Sequence, residues 1–128
     1  MATMHVELVS IEASIWSGEA TAVFARTVEG QLGVLPGHIP LLAALEPGYM
    51  VRIDAEDGDS LRVAVHGGFL SVSKKGVSVL AEQAELAEDI DVARARESLG
   101  SSDADGGPDE QAAHNRAMAR LRAAGEDV

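Results

Sequence analysis

The chain has 128 residues, enough for one domain of ordinary size or a small domain with an appendage. Its formal net charge of −11 disfavours binding to nucleic acid and to anionic lipid surfaces, and the lack of cysteine excludes disulfide and thiol chemistry. No secretory signal pattern begins the chain, and its longest apolar run, residues 39–45, is far shorter than the roughly 20 residues that span a bilayer. We therefore expect a soluble protein without direct membrane insertion.

Short apolar stretches separated by turn signals fill the first two thirds of the chain. Residues 5–11 and 19–28 predict two strands, with a turn at 16–18 between them. Further strands are predicted at 31–35, 49–54, 61–66, 69–73 and 77–81, and Asp57 followed by Gly58 is a strong hairpin signal. This spacing predicts an antiparallel β-sandwich over residues 1–86, in which Arg26 faces solvent.

Two consecutive glycines interrupt the later strands of this predicted sandwich. Gly67 and Gly68 predict a bulge, a corner or a close approach of another backbone. Phe69 or Leu70, directly after them, is expected to fill the core.

The composition changes after residue 80, where acidic and alanine-rich sequence begins. Asp89 or Asp91 is placed to cap a helix that runs to about Leu99. Residues 100–108 have the composition of a flexible linker, and a second helix is predicted from 109 or 110 through 124, closed by Gly125. Residues 87–128 are therefore predicted to form a two-helix hairpin or a mobile helical tail, and the fold class is mainly β with an α appendage.

Catalytic and metal-binding patterns are absent from the sequence. The four histidines, His5, His38, His66 and His114, lie on different predicted elements and show no metal-ligand spacing. No nucleophile elbow or phosphate-cradling loop occurs either. We predict no catalytic residues and no metal site.

Three runs carry a resemblance to a known family. The run GQLGVLPGHIP at 30–40 places a tight turn at Pro36 and Gly37, and the runs VHGGFLSV at 65–72 and EDIDVARA at 88–95 follow in order. Together they resemble the ε subunit of F-type, proton-translocating ATP synthases, whose signatures read G-x-L-G-[IV]-L-P-x-H-x-P and I-D-x-x-R-A. The resemblance covers about residues 5–96 and, more weakly, the tail.

The resemblance implies a non-catalytic rotor subunit of the central stalk, which couples the γ subunit to the ring of c subunits and needs no cofactor. It implies a peripheral location on the cytoplasmic face of the bacterial plasma membrane. The c-ring and γ contact positions carried over are Glu29, Gln31 and His38. Many relatives have an acidic residue at the position of Gln31, so an ion pair there becomes a hydrogen bond. The other hypothesis is a free-standing β-sandwich enzyme or small-ligand-binding module.

For the tail, the resemblance implies two roles, nucleotide binding and contact with the catalytic head. Relatives that bind ATP do so through positions that correspond here to Glu85, Asp91, Arg94, Ala95, Arg116 and Arg120. A further arginine of that pattern falls at Ser101, and an ion pair of Asp91 with Arg94 on the helix surface is the simpler interpretation. The second implied role is contact of the tail with the β and α subunits, in which Arg116, Arg120 and Arg122 meet acidic segments of the β subunits, with modest or no inhibition of hydrolysis.

Overall fold

The computed structural model describes residues 2–126, which form a β-sandwich followed by two helices. The strands are β1 Met4–Ser10, β2 Ser14–Thr27, β3 Gly30–Val34, β4 Leu41–Ala44, β5 Met50–Ala55, β6 Ser60–Ser73 and β7 Gly76–Leu86. A 3-10 turn at Ala87–Asp89 leads into α1 Val92–Ser101 and α2 Pro108–Ala123. The predicted class, mainly β with an α appendage, is confirmed.

The strands form one sheet in the order β1-β7-β6-β5-β2-β3, with β4 paired to β6. Pairing of β1 with β2 folds this sheet back on itself, so that its inner faces enclose the core. Alternate residues of the strands point inward, and Leu8, Val23, Ile53 and Leu70 are completely buried. A continuous apolar core therefore holds the sandwich together.

One pairing corrects the prediction of an antiparallel sandwich. β1 runs parallel to β7, with Val6 opposite Val77 and Ser10 opposite Ala81. Tight turns impose antiparallel pairing only on strands that follow each other in the chain. β1 and β7 lie at opposite ends of the sandwich sequence, so no turn constrains their direction.

The turn predicted at 16–18 is also wrong, because β2 runs through these residues. The chain reverses earlier, where Ser10 N donates to Ala13 O at 2.9 Å. A Cβ at position 18 would lie only 2.9 Å from the Trp16 ring. Gly18 therefore serves to let the indole fold over the strand, and its presence does not break the strand.

The glycine pair at 67–68 allows a close backbone approach. The β6–β7 register is the same on both sides of the pair, with His66 opposite Gln83 and Gly68 opposite Ala81, so the strand has no bulge there. A Cβ on Gly68 would lie 2.1 Å from the Leu80 carbonyl oxygen, and its φ is +143°. Of the two candidates for the core, Leu70 is buried, whereas Phe69 is half exposed.

The helical tail folds as a hairpin. Asp91 caps α1 as predicted, since its carboxylate accepts a hydrogen bond from Arg94 N at 3.1 Å. α1 continues to Ser101 and α2 starts at Pro108, whose missing N–H suits a first helical turn. The connection is thus shorter than the predicted linker at 100–108, and the second helix begins one or two residues earlier than the predicted start at 109 or 110.

The hairpin lies against the sandwich through small side chains. α2 contacts β6 and β5, and Ala64 of β6 packs against Ala119 and Ala123 of α2. Leu121 is the one large α2 side chain that is completely buried within the described range. Neither helix is long and apolar enough to cross a bilayer in this described part of the chain.

Candidate functional site

A pocket of about 430 Å³ lies where the sandwich meets the hairpin. It is lined by Glu85 at the end of β7, Asp91, Arg94 and Ala95 at the start of α1, and Arg120 of α2. Five of the six positions predicted for nucleotide binding are thus brought together from three separate elements. The N-cap at Asp91 and the burial of Ala95 orient the first turn of α1 towards this pocket.

Arg116 is the sixth predicted position, and it does not line this pocket. It lies one helical turn before Arg120 and lines a neighbouring cavity together with His66 and Glu82. The two arginines therefore face different cavities, although their spacing of four residues places them on one side of α2.

Glu85 is the centre of the polar contacts in this region. Its Oε1 accepts a hydrogen bond from Arg120 Nε at 2.8 Å and a second one from His66 Nε2 at 3.1 Å. A carboxylate can only accept, so the proton of the neutral imidazole lies on Nε2. One carboxylate thereby links β6, β7 and α2.

No sequence pattern assigned His66 to this cluster. Its side chain is only 7% exposed. Burial lowers the pKa of His66 from its ordinary value, the hydrogen bond to Glu85 opposes that shift, and the positive charges of Arg120 and Arg116 lower it further. His66 is therefore neutral near pH 7 and acts as a hydrogen-bond donor beneath α2. The predicted strands at 69–73 and 77–81 were the signal that could have revealed it, because a tight turn through the three residues between them sets 66 opposite 83, diagonal to 85.

The predicted contact residues fall at two ends of one strand. Glu29 and Gln31 are exposed at the β2–β3 hairpin, whereas His38 follows the other end of β3. The five residues of β3 separate these ends by roughly 14 Å. Glu29, Gln31 and His38 therefore do not form a single spot.

The turn that carries His38 has the predicted form. Gly37 has a φ of +87°, and His38 N donates to Leu35 O at 3.1 Å. His38 Nδ1 donates to Ile39 O at 2.6 Å, which fixes the ring against its own backbone. Leu35 and Ile39 on this turn are largely exposed.

A second exposed surface lies on the outer face of β4, β6 and β7. Phe69 lies opposite Leu80 across β6 and β7, and Leu42 lies opposite Ser71, which is on the same face as Phe69. Leu42, Phe69 and Leu80 are 70%, 50% and 48% exposed. We call these three residues the apolar face. Grouped exposed apolar side chains of this kind typically mark interaction surfaces.

Comparison with known proteins assigns the chain to a family. The family model for the beta-sandwich domain of the ATP synthase delta/epsilon chain matches residues 3–87. The ATP synthase epsilon chain of Mycobacterium avium is 48% identical over 125 residues, covering 98% of each chain, and that of Rhodococcus opacus is 55% identical over 102 residues, covering 80% of this chain and 84% of its own. The chain belongs to the ATP synthase epsilon chain family.

A solved structure of related fold supports the same assignment. A chain in the Euglena gracilis mitochondrial ATP synthase, in a structure of OSCP, F1 and c-ring, matches with a TM-score of 0.74 and 26% identity, covering 97% of this chain and 82% of that one. A Tetrahymena thermophila central stalk and c-ring structure shares the fold, with a TM-score of 0.58 and 16% identity, covering 90% of this chain and 89% of that one. The epsilon chain is a non-catalytic subunit of the central stalk of the membrane-associated F-type ATP synthase, and this role, predicted from the three runs, is confirmed. A free-standing enzyme or ligand-binding module is set aside.

Proposed function

We propose that the sandwich is the mechanical link between the γ subunit and the c ring, so that rotation driven by proton flow reaches the catalytic head. In this proposal the chain is a peripheral protein on the cytoplasmic face of the bacterial plasma membrane. The apolar face is the observation that carries the proposal, because a rotor subunit needs a large, water-excluding contact to transmit torque.

The apolar face is assigned to γ. The turn at Leu35–Pro40 leads directly into β4, so His38 and Ile39 are continuous with Leu42 of the apolar face. Contact there would bury Phe69 and Leu80 as well. Surfaces of this kind, with an aromatic anchor among aliphatic residues, supply most of the binding energy in protein interfaces.

The β2–β3 hairpin is assigned to the c ring. Glu29 and Gln31 lie at the end of β3 remote from His38, as a subunit that bridges two partners requires. Both side chains are exposed and polar, and exposed polar pairs contribute only about 0–1 kcal/mol each. We therefore expect the hairpin to set the register of the contact more than its strength.

The assignment to γ is tested in the assembled complex. Because the chain contains no cysteine, a single Leu42→Cys substitution provides a unique cross-linking site. We expect it to cross-link to γ, and we expect Phe69→Asp to reduce retention of the subunit at least tenfold. Ile11→Asp is the matched control, since Ile11 is 80% exposed but lies on the β1–β2 turn. Loss of retention with Ile11→Asp alone would contradict the assignment.

We further propose that the pocket at the base of the hairpin binds ATP weakly, as a regulatory ligand. Arg94 is exposed and forms no ion pair with the rest of the 2–126 range, so its guanidinium is available to a phosphate. Arg120 is already engaged by Glu85, and Glu85, Asp89 and Asp91 place three carboxylates in the lining against two guanidiniums. This charge balance supports weak binding of a polyanion.

Titration of the full chain with ATP, followed by the amide signals near Arg94 and Ala95, tests this second proposal. Arg94→Gln should weaken the response about tenfold, in line with the loss of a charge-assisted contact. Lys75→Gln removes the same charge from the β6–β7 turn and should leave the response unchanged. Saturable binding that Arg94→Gln does not affect would place the nucleotide elsewhere.

A further inference from the structure

An open groove on the opposite side of the hairpin concentrates positive charge. The groove has a volume of about 700 Å³ and lies where the C-terminal end of α2 crosses the outer face of β2, β3 and β5. Its lining includes Arg26, Arg52 and Arg122 together with Phe24 and Tyr49. We call it the arginine groove. Both this groove and the pocket of Glu85 and Arg94 are lined in part by α2, but no residue lines both.

The placement of these arginines does not stabilise the fold. Arg52 lies directly opposite Arg62 across β5 and β6, and like charges in such a pair destabilise a sheet. Arg62 also reaches the groove margin, since its Nη1 would lie 3.4 Å from a Cβ at Gly125. Four of the ten basic residues thus gather in one region of a chain whose net charge is −11.

Compensating charge from residues 2–126 is sparse. Arg52 pairs with Asp54 at 3.2 Å, and Glu126, the acidic residue in the groove lining, is engaged by Arg96. Arg122 donates to the Gly48 carbonyl, a neutral group. Arg26, which we expected to face solvent, is half-buried, and its buried Nε has no hydrogen-bond partner among residues 2–126. Among the described residues, the groove therefore keeps an excess of positive charge.

Stacking holds the guanidinium groups in place. The Arg52 guanidinium carbon lies 4.4 Å from the centre of the Phe24 ring. Those of Arg26 and Arg122 lie 5.0 and 4.2 Å from the centre of the Tyr49 ring. A ring covers the face of a guanidinium and leaves the N–H groups along its edges directed elsewhere. Such fixed edges suit an oxygen-rich anion, because little conformational freedom is lost on binding.

We propose that the arginine groove binds a phosphate group and thereby fastens α2 to the sandwich. A carboxylate presents two oxygens in one plane and suits a single guanidinium. A tetrahedral phosphate presents oxygens in several directions, so one dianion can accept hydrogen bonds from Arg26 or Arg52 of the sandwich and from Arg122 of the hairpin at once. Phosphate in this groove stabilises the docked hairpin, a role separate from nucleotide binding at the other pocket.

Inorganic phosphate is the probe, and the side-chain Nε–Hε signals of arginine in the full-length chain are the readout. At constant ionic strength, phosphate replacing chloride should shift the signals of Arg26, Arg52 and Arg122 saturably and slow amide exchange in α2. Arg52→Gln and Arg122→Gln should each weaken binding about tenfold, and Arg26→Lys should weaken it although the charge is kept. Lys74→Gln and Lys75→Gln are the matched controls and should have no effect.

Three outcomes would overturn the proposal. The first is a response that acetate reproduces at the same concentration, which would mean that the groove does not distinguish phosphate from carboxylate. The second is a small, unsaturable shift equal to that caused by chloride. The third is an equal loss of binding with Lys74→Gln, which would show that binding depends on the net charge of the protein and not on the groove. Failure of the ATP titration at Arg94 leaves this test unaffected, because the two sites have no lining residue in common.

Discussion

The sandwich and the helical hairpin are held by different kinds of contact. The core of the sandwich is built from large aliphatic side chains such as Leu8, Ile53 and Leu70, all completely buried. The hairpin meets the sandwich mainly through alanines, and polar bonds from Arg120 to Glu85 and from Arg122 to Gly48 add to them. Alanine buries little apolar area, and part-buried polar bonds each contribute modestly. The comparison indicates a rigid body with a detachable appendage.

A core truncation in the sandwich should have the largest effect. Ile53→Ala removes a completely buried side chain and should lower the free energy of unfolding by about 2–5 kcal/mol. Chemical denaturation of the full chain measures this loss. Leu80→Ala on the exposed side of β7 is the control and should change the value little. Equal effects of both substitutions would contradict the assignment of the core.

Leu121→Ala should show whether the stability of the hairpin is independent of the stability of the sandwich. Leu121 is completely buried on the side of α2 away from Ala119 and Ala123, so its truncation should loosen the packing of the hairpin and leave the sandwich core intact. We expect faster amide exchange throughout α1 and α2 but no change in the midpoint of sandwich unfolding. If the sandwich unfolded at lower denaturant concentration as well, the hairpin would be part of one cooperative unit.

Acidification should have a smaller effect on the same contact. The pKa of His66 is lowered when α2 is docked, so the docked form binds fewer protons than the released form. Docking is therefore complete above the ordinary histidine pKa of 6.5 and weakens as the pH falls below it towards the lowered value. Amide signals of Ala119 and Ala123 report the docked fraction.

His66→Gln provides the decisive comparison for this pH dependence. Glutamine retains an N–H that can donate to Glu85 but does not titrate, so the docked fraction should become insensitive to pH in this range. His38→Gln changes a histidine on the remote turn and should leave the pH response intact. A pH response that survives in the His66 variant would locate the titrating group elsewhere.

The features that could be predicted from the sequence are the local ones. Local signals placed the sandwich strands other than β4, the turn at Pro36 and Gly37, and the N-cap at Asp91, because turn and cap chemistry depends on a few adjacent residues. The parallel pairing of β1 with β7 and the role of Gly18 were missed, since each depends on a partner distant in the fold or on one side-chain rotamer. The pocket residues came from resemblance, whereas His66 and the arginine groove required the register of the sheet.

Removal of the tail should have the smallest effect on the assembled enzyme. A variant lacking residues 90–128 should raise ATP hydrolysis by no more than about twofold, equivalent to about 0.4 kcal/mol. The docked hairpin already buries Leu121 completely, and α2 is only about 24 Å long, so little remains to hold it in the catalytic head. Leu121→Ala in the full-length chain is the comparison, because it loosens the hairpin without removing the tail. A rise of tenfold or more on truncation, together with lower hydrolysis in Leu121→Ala, would show that the released tail is a strong inhibitor.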